Sequence, residues 1–166
     1  MKHINVIAMA IIALLPMASQ ARDVQTYFGV NYERGNLNVG GHHANVGGFK
    51  FLSASELGWG SIKGTASTLT GDGADYDSYS LGVEKSWSIQ QSNVFVSPEA
   101  GVTYAQYKDD QLKVSDLGAL IGVSLGYNIN NHFQIVSNYN HSFGMKSNQI
   151  NIDEDSLSAG LNYRFN

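Results

Sequence analysis

Toward its end the chain alternates without a fault. Leu157, Ala159, Leu161, Tyr163 and Phe165 fall on one side, and Ser158, Gly160, Asn162 and Arg164 on the other. A period of two marks a strand with one apolar face. The same period returns at Leu117, Ala119, Ile121, Val123, Leu125 and Tyr127, set against Gly118, Gly122, Ser124, Gly126 and Asn128. Two kinds of closed sheet satisfy such a pattern. A soluble barrel turns the apolar face inward, whereas a membrane barrel turns it to lipid and fills its lumen with polar side chains. The polar set here is Gly, Ser, Asn, Gln and Glu, and large aromatics gather near the strand ends. That filling favours the second arrangement. The expected fold class is all-β: an eight-stranded antiparallel transmembrane β-barrel in up-and-down order.

The N-terminus carries the marks of an export signal. Lys2 supplies a positive start, Val6 to Leu15 an apolar run, and Ser19 and Ala21 the small residues of a cleavage site. Residues 1–21 are therefore expected to be removed, leaving 22–166 as one barrel domain. The apolar run is too short to span a bilayer as a helix, which takes roughly 20 residues. With no Cys in the chain, an exported fold gains nothing from disulfides, and closing the sheet removes its edges instead. The formal net charge of −4 argues against nucleic acid as a partner. Nothing in the sequence calls for a cofactor or a metal.

Eight strands are expected: about 24–34, 46–53, 57–68, 79–87, 94–108, 117–128, 133–143 and 157–165. Ile62 breaks the phase of the third if Leu57 and Trp59 set it, which predicts a bulge. Pro98 removes one ladder donor from the fifth. An even strand number puts both termini on the periplasmic side. The connections at about 35–45, 69–77, 109–112 and 145–153 then face outward from the cell as loops, and Ser53 to Glu56 forms a short periplasmic turn.

Alternation places Glu33, Lys50, Glu84, Glu99 and Arg164 on inward faces. An eight-stranded barrel is just wide enough to be filled by its side chains, so these charges read as a structural network and a wide solute pore is excluded. Arg34, Lys63, Lys108, Lys113 and Lys146 map to the extracellular half, where lipopolysaccharide phosphates are the natural counter-charge. Tyr76, Tyr79, Tyr104 and Tyr107 read as an aromatic girdle near the outer rim. Asp72, Asp75 and Asp77 lack the spacing of an EF-hand loop. The adjacent His42 and His43 read as surface loop.

The layout resembles the OmpX/Ail family of small outer-membrane barrels over nearly the whole mature chain. The resemblance rests on Gly47-Gly48-Phe49 at the start of the second strand, on the stretch from Tyr79 through Tyr107, and on the ending Ala159-Gly160-Leu161-Asn162-Tyr163-Arg164-Phe165. In that ending Gly160, Tyr163 and Phe165 resemble the signal read by the outer-membrane assembly machinery, although here Asn166 follows the last aromatic. The resemblance implies a monomeric, non-enzymatic surface protein of the outer membrane. It implies loops presented for adhesion or for contact with a host or surface ligand, a part in membrane integrity, and lipid and lipopolysaccharide as neighbours. Two other functions stay open: a small channel, and an enzyme that modifies lipid A. The enzyme needs His141 and Ser142 to meet, and neighbours on a strand face opposite sides.

Overall fold

A computed structural model describes residues 24–90, 92–147 and 150–165 of the chain; the expected signal at 1–21 lies outside them. Eight strands make up the fold. They are β1 (Thr26–Val39), β2 (His42–Leu57), β3 (Gly60–Gly71), β4 (Ala74–Glu84, continued by Trp87–Ser88), β5 (Val94–Lys108), β6 (Lys113–Asn128), β7 (Phe133–Ser147) and β8 (Ile150–Phe165). Each pairs antiparallel with the next, and β8 returns to β1, so the sheet closes.

The register fixes the shape. Followed once around the wall, paired residues run Thr26, Ser55, Ile62, Val83, Ala100, Ile121, His141, Asp155 and back to β1 at Asn36, ten residues further along. A stagger of this size over eight strands tilts them by about 40° to the barrel axis. Around the lower wall, Val30, Phe51, Leu81, Val102, Ile121, Leu125, Ile135 and Leu161 point outward and stand exposed, as a lipid-facing band requires. Phe133, Tyr163 and Phe165 interlock edge to face at the end carrying the termini, with ring centroids 5.2 and 4.9 Å apart.

Several boundaries move from those expected. The segments 35–45 and 69–77 are mostly strand, not loop; they close in two-residue turns at Gly40-Gly41 and Asp72-Gly73. Gly40, Gly41 and Gly73 hold positive φ there, which glycine adopts at no steric cost. Ser53 to Glu56 belongs to β2, and the turn falls at Gly58-Trp59. The β2–β3 register runs without a break from Leu57↔Gly60 to Gly47↔Thr70, so Ile62 marks no bulge. The phase taken from Leu57 and Trp59 fails because Trp59 sits in the turn.

Two irregularities follow from local chemistry. Opposite Pro98 the β4 ladder lapses at Lys85 and Ser86, then resumes in register at Trp87↔Val96. Lys85 N–H still donates to the Pro98 carbonyl at 3.3 Å, but proline has no N–H to return. In β7 the pairing shifts between Ser142 and Met145, where Gly144 takes φ 79°. This bulge inserts one residue into the alternation. Met145 thereby turns inward, where it is fully buried, rather than outward as strict alternation would place it.

The faces exchange character part-way up the wall. On β1 the outward residues Phe28, Val30 and Tyr32 give way to Arg34, Asn36 and Asn38, while inward Asn31 and Glu33 give way to Leu37 and Val39. The neighbouring strands do the same, so the end away from the termini is built inside-out relative to the rest. Such an exchange suits a wall that passes from lipid into water, where the apolar side chains gain by moving in.

Candidate functional site: lumen and crown

Below the change-over the lumen holds two ionic knots. In the lower one, nearer the termini, Lys63 Nζ lies 3.1 Å from Glu84 Oε2 and 2.6 Å from Glu99 Oε2. The Tyr27 hydroxyl donates to Glu84 Oε1. In the upper one Lys50 pairs with Glu33, the Ser67 hydroxyl donates to Glu33, and the Tyr76 hydroxyl donates to Glu154 Oε2 at 2.8 Å. With its amide oxygen turned to Lys50 Nζ, Asn140 adds an acceptor at 2.9 Å. All these side chains are buried. Burying charge is costly unless it is paired and hydrogen-bonded, and strand alternation brings the partners together from β1, β2, β3, β4, β5, β7 and β8.

Space between the knots and the wall is filled by setting long side chains against glycine. A Cβ on Gly160 would lie 2.2 Å from Asn31 Oδ1, and one on Gly29 would lie 2.0 Å from Asn162 Oδ1. Below the lower knot the lumen opens into a cavity of about 250 Å³, lined by Tyr27, Glu84, Asn138, Asn162 and Arg164 among others. Arg164 is at its mouth, with Nη2 3.7 Å from Glu56 Oε1.

Above the upper knot the lumen is closed. Leu37, Val39, Val46, Leu69, Tyr76, Tyr107, Val114, Met145 and Ile152 pack into one buried apolar cluster, with Leu112 and Ile150 against it. Around this cap the hairpins β1–β2, β3–β4, β5–β6 and β7–β8 form a crown. The Asp109 carboxylate holds the β5–β6 turn by accepting the backbone N–H groups of Gln111 (2.8 Å) and Leu112 (2.6 Å) and the Tyr107 hydroxyl (2.9 Å). These donors hold its carboxyl below the usual carboxylate range.

Lys63 was expected at the outer surface and is instead the cation of the lower knot, 3% exposed. With the turn at Gly58-Trp59, Ser61, Lys63, Thr65 and Ser67 point inward. Tyr76 and Tyr107 likewise belong to the cap and not to a girdle, whereas Tyr79 and Tyr104 sit on the outer wall. Arg34, Lys108, Lys113 and Lys146 stand on the outside of the crown, with Lys108 and Lys113 directly paired across β5 and β6. Seven aspartates share that surface: Asp72, Asp75, Asp77, Asp109, Asp110, Asp153 and Asp155.

The apolar cap escaped the sequence reading because most of it lies in segments read as loop; Glu154, a possible partner of His141 and Ser142 in the enzyme reading, instead accepts from Tyr76 in the upper knot. His141 faces out, its Nδ1 3.0 Å from Asp155 Oδ1 and its ring stacked on Phe143, and Tyr139 donates to the same carboxylate at 2.6 Å. Ser142 is on the inside of the wall, 2% exposed. Base and hydroxyl are thus separated by the sheet. Among the described residues no group of three or more His, Asp or Glu side chains is placed to hold a metal ion.

No family model matches the chain, and no curated protein matches it. Solved structures do. Neisserial surface protein A superposes with a TM-score of 0.72 at 14% identity, covering 84% of this chain and 97% of that one. Ail of Yersinia pestis, solved in complex with the heparin analogue sucrose octasulfate, gives 0.59 at 19% identity over 86% and 99%. The N-terminal β-barrel domain of Pseudomonas aeruginosa OprF gives 0.51 at 14% over 82% and 97%. At these identities the likeness is one of architecture: the chain has the fold of the small eight-stranded outer-membrane barrels of the OmpX/Ail type.

Proposed function

We propose that the chain is an integral outer-membrane surface protein whose crown stands outside the cell and makes its contacts. The exchange of faces along the strands carries this reading: a band built for lipid passes into a crown built for water. The terminal end then faces the periplasm, and Gly160, Tyr163 and Phe165 at the closing strand serve the assembly machinery. The barrel acts as a monomer and not as an enzyme. The apolar cap leaves no continuous polar path through the lumen, which speaks against a channel.

Lipopolysaccharide is the nearest partner for the crown, through phosphates held by Arg34, Lys108, Lys113 and Lys146. A polysulfated ligand such as that bound to Ail fits less well, because seven aspartates outnumber these four cations on the same surface. Adhesion to a host or other surface would then use the crown's turns. Changing the four cations to Gln should leave the barrel folded and weaken lipopolysaccharide binding, read as loss of co-purification, by up to roughly a thousandfold, given about 1 kcal/mol per basic side chain at an anionic lipid surface. Proteoliposomes carrying a crown with shortened hairpins should also bind surfaces less than wild type. Unchanged lipopolysaccharide retention together with unchanged surface binding would contradict the proposal.

A further inference from the structure

On the outer wall near the terminal end the lipid-facing surface is interrupted. A groove of about 280 Å³ runs between the β2–β3 turn and the seam of β4 with β5, walled by Trp59, Val83, Lys85, Pro98 and Ala100. Its origin is local. Pro98 opens the ladder opposite Lys85, and Ala100 is small where the neighbouring strands carry Val83 and Ile121. The turn lies close because Gly60 has no side chain; a Cβ there would meet the Glu84 carbonyl oxygen at 2.6 Å. Trp59, 55% exposed, forms the far wall, at the depth where indole rings anchor in the membrane interface.

We propose that this groove binds an anionic phospholipid of the periplasmic leaflet, with its phosphate on Lys85 and an acyl chain along Trp59, Val83, Pro98 and Ala100. Charge selects the occupant. Lys85 is exposed and makes no ion pair among the described residues. The acidic groups around it are engaged elsewhere: Glu84 and Glu99 turn into the lumen on Lys63, and Glu56, which lines the adjoining pocket with Lys85, lies 3.7 Å from Arg164 Nη2. An apolar slot with an uncompensated cation at its rim matches a lipid whose headgroup carries net negative charge. The inference rests on the membrane orientation proposed above.

The test uses Trp59 as its own reporter. The chain has two tryptophans, so Trp87→Phe isolates the signal. The full-length mature protein is reconstituted in phosphatidylcholine vesicles containing a small fraction of chain-brominated phosphatidylglycerol or, separately, chain-brominated phosphatidylcholine. Quenching should show a preference for phosphatidylglycerol of roughly fivefold. It should fall to parity in Lys85→Gln and return in Lys85→Arg, all three folding alike by gel mobility. Equal quenching by the two lipids, or a preference that survives Lys85→Gln, overturns the site while leaving the barrel in its membrane. No quenching by either lipid would overturn the membrane orientation and this site with it.

Discussion

Replacing Lys63 by Met should destabilise the barrel by about 3–5 kcal/mol, the cost of leaving a buried ion network without its partner. Methionine keeps much of the volume, so the loss is electrostatic. The Lys63 ammonium is 3.1 Å from Glu84 and 2.6 Å from Glu99, and all three side chains are almost fully buried. Without it two carboxylates from β4 and β5 face each other with only the Tyr27 hydroxyl and the lower cavity to satisfy them. Adding Glu84→Gln and Glu99→Gln to Lys63→Met should recover most of the loss, since neutral amides need hydrogen bonds but no counter-charge. Urea unfolding in lipid vesicles, followed by tryptophan fluorescence, measures both variants. A single mutant as stable as wild type, or a triple mutant no better than the single, would mean that the knot does not hold the lower lumen together.

Leu69→Asp should open the crown while sparing the band. Leu69 is 1% exposed in the cap and pairs across β3 and β4 with Tyr76, whose hydroxyl serves Glu154. The substitution removes an apolar side chain, worth about 2–5 kcal/mol in a packed core, and adds a buried charge with a carboxylate nearby and no cation in the cap. The crown relieves this by admitting water. Trypsin applied outside the cell should then cut at Lys108, Lys113 or Lys146, which wild type should resist because tight hairpins hold all three. The band, with its own ladder and knots, should stay folded and keep its gel shift. Full loss of the barrel would show that crown and band fold as one unit, and an uncut crown would show that the cap does not seal it.

How far the sequence could be read follows from how alternation works. The lipid band and the inward positions of Glu33, Lys50, Glu84 and Glu99 needed only the period of two and a choice of face. The crown was hidden by its chemistry. Asn36, Asn38, Gly40 and Gly41 have the composition of a loop, and Leu37 and Val39 appear out of phase to a reader following one apolar face. The period never stopped; the faces exchanged polarity where the solvent changed. Lys63 was misplaced by a phase error of local origin, since Trp59 belongs to a turn and says nothing about β3. Met145 needed the extra residue at Gly144, and a bulge leaves little trace in a single sequence. The partners of each knot were out of reach for another reason: pairs such as Lys63 with Glu99 depend on the register of strands that are not neighbours in the chain.

Orientation is the claim on which the rest depends, and a nitroxide scan of β6 and β1 in lipid vesicles measures it directly. Along β6, labels at 117, 119, 121, 123 and 125 should collide freely with oxygen dissolved in the bilayer, and labels at 118, 122 and 124 should be shielded. Along β1, labels at 28 and 30 should report lipid, whereas 36 and 38 should meet a water-soluble nickel reagent and 37 should meet neither. Labels at 117, 119, 121, 123 and 125 that stay shielded from lipid, on a chain that remains monomeric in water without detergent, would contradict the account.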